Sequence, residues 1–95
     1  MLTIAQITNA AEIVAKEFPI KNITLFGSYA DGTNTENSDV DLLVEFMAER
    51  VSLLTLASIK YRFEELLNVD VDIIHAPLDE NAMIIPKREV LIYAA

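Results

Sequence analysis

At 95 residues, 53% of them hydrophobic, the chain is long enough for one domain, residues 1–95, with a substantial core. It has no cysteine, no apolar run long enough to span a bilayer and no signal-peptide pattern, which excludes a disulfide scaffold and a thiolate metal site and leads to the expectation of a cytoplasmic protein with no membrane partner. A net charge of −8, with the seven Lys and Arg scattered in ones and twos, argues against a nucleic-acid partner gripped by its backbone.

Ile4, Ile7, Ala11, Val14, Ala15 and Phe18 recur at helical spacing. Thr3 and Gln6 fit a capping box at the start, and Pro19 ends the helix after Phe18. Ile20 to Phe26 is rich in β-branched and aromatic residues and reads as the first strand. Gly27 permits a sharp turn, Ser28 to Asp31 forms one helical turn ended by Gly32, and Thr33 to Ser38 is a polar loop. Asp39 to Phe46 is the second strand, with Val40, Leu42, Val44 and Phe46 on one face and Asp39, Asp41, Leu43 and Glu45 on the other.

Ser52 caps a second helix that runs to about Leu67, with Leu53, Leu56, Ala57, Lys60, Phe63 and Leu67 giving it an apolar stripe with polar flanks. Asn68 stops it. Val69 to Ile74 is a third strand, and His75 to Leu78 a turn. Asp79 caps a last helical segment, which Pro86 either kinks or restarts as a final helix through Tyr93.

The chemistry gathers in Gly27 to Glu45. Asp39 and Asp41, two apart on a strand, stand about 6–7 Å from one another on one face. Like charges so placed raise one another's pKa and weaken a fold unless something holds them. A solvated pair flanking a turn would need no further partner, but one face of this strand is buried and a Gly-Ser turn precedes it. A divalent cation resolves the repulsion, and oxygen ligands with no His or Cys beside them favour Mg²⁺ or Mn²⁺. Gly27 lets a phosphate approach the backbone, the following N–H groups attract an anion, and the Ser28 hydroxyl can donate to a phosphate oxygen. Gly27 to Gly32 has P-loop glycine spacing, but Thr33 stands where that motif needs Lys, so the P-loop is rejected. A third carboxylate would complete a two-metal site, and the alternation of the third strand allows either Asp70 or Asp72. Tyr29 could stack on a base or pack in the core, and the lone His75 reads as a loop residue.

The segment LFGSYADGTNTENSDVDLLVEF resembles the signature of the DNA polymerase β-like nucleotidyltransferase superfamily: Gly27-Ser28, a ten-residue spacer, then Asp39-x-Asp41. More narrowly it resembles the minimal nucleotidyltransferase (MNT) family of small prokaryotic proteins. LLNVDVDIIHA is similar to that family's helix end and following strand, which selects Asp72 as the third carboxylate, and REVLIYA is similar to its last helix. The resemblance implies an α/β (α+β) nucleotidyltransferase fold, a small mixed sheet with helices packed mainly on one side. It implies transfer of AMP from ATP to a hydroxyl, with two Mg²⁺ ions held by Asp39, Asp41 and Asp72, Asp72 also serving as base, and Gly27 and Ser28 holding phosphates. The implied partner is a HEPN-domain ribonuclease toxin, modified on tyrosine by this protein as its antitoxin, with an oligomer formed with that partner as a further expectation. A chain this short has no room for its own acceptor-binding domain. Asp31 stands where many members carry Arg, which leaves phosphate neutralisation to the metals and to Lys60 or Arg62. The rival reading is a binding module that neutralises its partner by contact; a third is a small-molecule nucleotidyltransferase subunit.

Overall fold

The computed structural model describes residues 2–27, 29, 32, 39–48, 50–76 and 89–95. Helix α1, Ile4–Glu17, opens with the expected capping box: Gln6 N–H donates to Thr3 Oγ1 at 3.2 Å and Thr3 N–H to Gln6 Oε1 at 2.8 Å. Strand β1 is Ile20–Phe26, β2 is Val40–Phe46, helix α2 is Leu53–Leu67, β3 is Val71–Ala76 and β4 is Glu89–Ala94. Ser52 caps α2, accepting from Thr55 N–H at 3.1 Å, and Asn68 ends it in the left-handed conformation at φ 57°.

The four strands form one mixed sheet in the order β3-β2-β1-β4. β1 pairs antiparallel with β2 and β4, while β2 and β3 are parallel, joined across α2. Alternation sorts the side chains as expected. Ile23 and Leu25 of β1, Val40, Leu42 and Val44 of β2, and Val71 of β3 are all fully buried. They meet Ile7, Ala11 and Val14 of α1 and Ile59, Phe63 and Leu67 of α2 in one core. Both helices therefore cover the same face, and α1 and α2 touch one another. Among the described residues no buried side chain is polar or charged, so hydrophobic burial is what holds the layers together. The other sheet face carries Asp41, Leu43 and Glu45, each only half-buried.

Four expectations need correction. β2 begins at Val40, leaving Asp39 exposed just before it. β3 runs two residues later than expected: the left-handed Asn68 turns the chain, Val69 and Asp70 are used in re-entering the sheet, and His75 lies in the strand, its ring edge-on to Phe46 with centroids 5.2 Å apart. The helix expected through Tyr93 is instead β4. Its exposure alternates around the buried Ile92, with Leu91 61% exposed, and it supplies the hydrogen-bond partners that β1 needs on its second edge. The stripe of α2 is rotated, with Ile59 in the core and Leu53 83% exposed. The expected turn at Ser28 to Asp31, Asp79 and Pro86 lie outside the described residues, apart from Tyr29, which is buried in the core.

Candidate active site

Asp41 is the second residue of β2 and Asp72 the second of β3, and the parallel register pairs them directly. Paired residues of adjacent strands share a face about 4.8 Å apart. Both alternate with Val40 and Val71, which point into the core, so their side chains leave the core. The same register sets Phe26, the last residue of β1, against Asp41. Gly27 follows at φ 78°, a left-handed conformation that glycine adopts freely. A Cβ at Gly27 would overlap a carboxylate oxygen of Asp41 and lie 3.3 Å from its Cγ. The glycine therefore does two things: it turns the chain, and it leaves room for Asp41.

Electrostatics mark the same place. The Asp41 carboxyl is pushed above its ordinary value of 3.8, first by burial, then by the charges of Asp72 and Asp39, and by a hydrogen bond with Asp72. The charges of Asp72 and Asp39 thus both bear on Asp41. Asp70 is exposed and precedes β3; its carbonyl accepts from Val40 N–H at 3.0 Å, which starts the parallel pairing. Sequence alternation left Asp70 and Asp72 equivalent; the family resemblance selected Asp72, and the register sets Asp72, not Asp70, opposite Asp41.

Asp41 and Asp72 line one side of an open cleft of about 630 Å³, with Phe26, Ile74 and the Leu53–Ala57 turn of α2 forming apolar walls. That volume falls within the range of small-ligand pockets. Lys60 stands in the wall, bonded to Glu64 Oε2 at 2.8 Å and to the Val71 carbonyl at 2.7 Å. Its pKa is raised, chiefly by the bond to Glu64, with Asp72 and Asp70 adding attraction. Arg62, the other basic candidate, donates to Glu17 on α1 at 2.9 Å and to Glu65 at 3.2 Å. It is therefore tied to the helical layer. Glu64, Phe26 and the α2 turn were not singled out from sequence; the Lys60–Glu64 spacing of four was the one available signal for the first.

A divalent cation suits this donor set. Hard carboxylate oxygens of one sign converge, and a cation between them would relieve the repulsion that, after burial, pushes the Asp41 carboxyl up. Among the described residues no group of three acidic, His or Cys side chains is placed to hold a metal ion, so the structure brings Asp41 and Asp72 together without Asp39 as a third ligand. Asp41 and Asp72 are thus a two-carboxylate platform open to the cleft, the usual manner of Mg²⁺ sites completed by substrate phosphates and water. Ser28, expected to bind phosphate, and Asp31 lie outside the described residues. Among the described residues no helix is long and apolar enough to cross a membrane.

Residues 7–93 match the family described as nucleotidyltransferase domain. The protein adenylyltransferase MntA of Thermococcus cleftensis is 38% identical over 78 residues, 78% of each chain. A group of Methanocaldococcus jannaschii relatives, described as candidate protein adenylyltransferases, is 36–44% identical, and the chain spans between 59% and 76% of their length. The fold is shared with a toxin–antitoxin crystallised with AMP-PNP: TM-score 0.77, 21% identity, 93% of this chain and 73% of that one. It is shared also with a complex of an MNT antitoxin and a tri-AMPylated Shewanella oneidensis HEPN toxin: TM-score 0.68, 16% identity, 98% and 74% covered.

Proposed function

The chain belongs to the nucleotidyltransferase domain family, and from that premise we propose that it is a protein adenylyltransferase acting as an antitoxin, moving AMP from ATP to a hydroxyl of a HEPN-type toxin. The observation that carries the reading is the in-register pairing of Asp41 with Asp72 opposite a glycine that keeps the space beside Asp41 clear. The relatives named as adenylyltransferases and the fold shared with toxin–antitoxin structures, one of them with an MNT antitoxin, support it.

Asp39, Asp41 and Asp72 would hold Mg²⁺, two ions in all. When bound, the metal neutralises the triphosphate and lowers the pKa of the attacking hydroxyl. The chain's own groups do the rest. The Gly27 backbone and Ser28 hold the outer phosphates, and the apolar cleft walls exclude water from the α-phosphate. Asp72, on the open side of β3, accepts the proton of the attacking hydroxyl. The hydroxyl oxygen forms a bond to the α-phosphorus, the bond from that phosphorus to the bridging oxygen of the β-phosphate breaks, and pyrophosphate leaves with the bonding electrons. The donor is the ATP of the cytoplasm.

Turnover separates this reading from neutralisation by contact. A catalytic amount of the protein with ATP and Mg²⁺ is expected to disarm an excess of toxin, which gains the mass of one or more AMP units. Asp39→Asn/Asp41→Asn is expected to bind the toxin and fail to protect against it. A toxin fully neutralised yet unmodified in intact-mass spectra overturns the proposal.

A further inference from the structure

Among the described residues β3 is an edge strand of the sheet, with β2 on one side only. In a parallel pair, alternate residues direct their N–H and C=O toward the neighbour, and those between direct theirs outward. The Asp70 carbonyl faces β2 and accepts from Val40. The Val71 backbone faces outward, and α2 takes both of its groups. Its N–H donates to Glu64 Oε2 at 3.1 Å, and its carbonyl accepts from Lys60 Nζ at 2.7 Å. Lys60 and Glu64 are themselves paired at 2.8 Å. The result is a closed clamp from one turn of α2 onto the residue before Asp72. Among the described residues, Val71 is the only residue of β3 whose backbone is bound by side chains.

An edge strand can satisfy its outward groups with water, so edge pairing alone does not call for such a clamp. The carboxylates do. Asp41 and Asp72 repel across the β2–β3 pair, and among the described residues β3 has no strand behind it to resist. The Lys60 bond fixes the peptide that leads directly into Asp72, and its ammonium sits on the same cleft wall. We propose that Lys60 and Glu64 are positioning residues that hold Asp72 opposite Asp41 through the Val71 backbone, so that the two carboxylates are spaced for a divalent cation. The inference rests on the reading of those carboxylates as cation ligands given above.

The test compares the full chain with Lys60→Met, Glu64→Ala and Glu64→Gln. Mn²⁺ alone is the probe, its binding followed by electron paramagnetic resonance without nucleotide. Amide exchange at Val71 and Asp72 is followed by NMR in chelator. Val71 is expected to exchange faster in Glu64→Ala. Mn²⁺ affinity is expected to fall about 10-fold or more in Lys60→Met and Glu64→Ala, the usual scale for groups that orient a metal ligand. Glu64→Gln keeps an oxygen for the Val71 N–H and is expected to lie between them and the parent chain. Binding to the parent chain with equal affinity in all variants overturns the positioning role alone. No binding to the parent chain overturns the metal reading and the inference together. A raised KM for ATP in Lys60→Met at unchanged Mn²⁺ affinity makes Lys60 a phosphate contact, which also overturns it.

Discussion

Asp41 is where the fold and the chemistry disagree. Its carboxyl is pushed up by burial and by Asp72 and Asp39. A raised folded-state pKa means that the native chain binds the extra proton, so metal-free stability falls as pH rises from 3.8 through that raised value. Asp41→Asn keeps the shape and removes the ionisation. In chelator at neutral pH it is expected to melt at a higher temperature than the parent chain, and the gain is expected to vanish in acid. Mn²⁺ is expected to stabilise the parent chain and leave the variant unmoved. A lower melting point for Asp41→Asn in chelator would sink this account. Two glycines offer a matched control. Gly27→Ala is strained at φ 78°, about 1–2 kcal/mol, and also drives a Cβ into Asp41. Gly32→Ala is strained at φ 82° but meets open space. Both are expected to lower stability in denaturant melts, and only Gly27→Ala is expected to lose Mn²⁺ binding. On β3, Asp72→Asn is expected to lower AMP transfer by about 100-fold or more, while Asp70→Asn largely spares it. The reverse result in a labelled-ATP assay would mean that the functional carboxylate lies two residues earlier.

At the scale of elements, the ion pair on α2 carries its own pH signature. Glu64 is held below its ordinary value of 4.5, first by the bond from Lys60 and then by the Val71 N–H. A depressed folded-state pKa gives stability that is present above 4.5 and is lost as pH falls through the lowered value. Thermal melts are expected to show that the parent chain loses more stability than Glu64→Gln across that acid range. An equal loss in both would mean that the pair contributes nothing at the β3 edge. The elements also mark what the sequence discloses. α1, β1 and the body of α2 were legible because caps and periodicity agree on them. The pairing of Asp41 with Asp72 was not legible, because alternation fixes a face and register fixes the partner. β3 was displaced because its start depends on how many residues the chain needs after a left-handed Asn68. Residues 89–94 read as helix for a different reason: five of the six are apolar or aromatic in a continuous run, Val90 to Ala94, which periodicity alone assigns equally to helix or strand. The open second edge of β1 decided it, and that demand is not written locally.

The whole molecule divides its labour by layer. The helical face buries an apolar core, and the sheet's other face carries the carboxylates at its β2–β3 end. Summed over the chain, 15 acidic residues against 7 basic ones give the net charge of −8. Such a field acts on a partner before any contact forms. A ribonuclease that grips RNA presents positive surface to phosphates, so the toxin partner proposed above would meet an acidic protein with a surface of opposite sign. The expected consequence is an association rate that depends on salt. Between about 0.1 M and about 1 M salt the Debye length shortens from about 10 Å to about 3 Å, and the rate of complex formation with the toxin is expected to drop on the order of 10-fold or more. The dissociation rate, set by the packed contact, is expected to change far less. Stopped-flow mixing resolves the two. Asp39→Asn/Asp41→Asn removes only two of the fifteen acids, so it is expected to associate nearly as fast while transferring no AMP. An association rate indifferent to salt would mean that the charge serves solubility alone and that the toxin is found by shape.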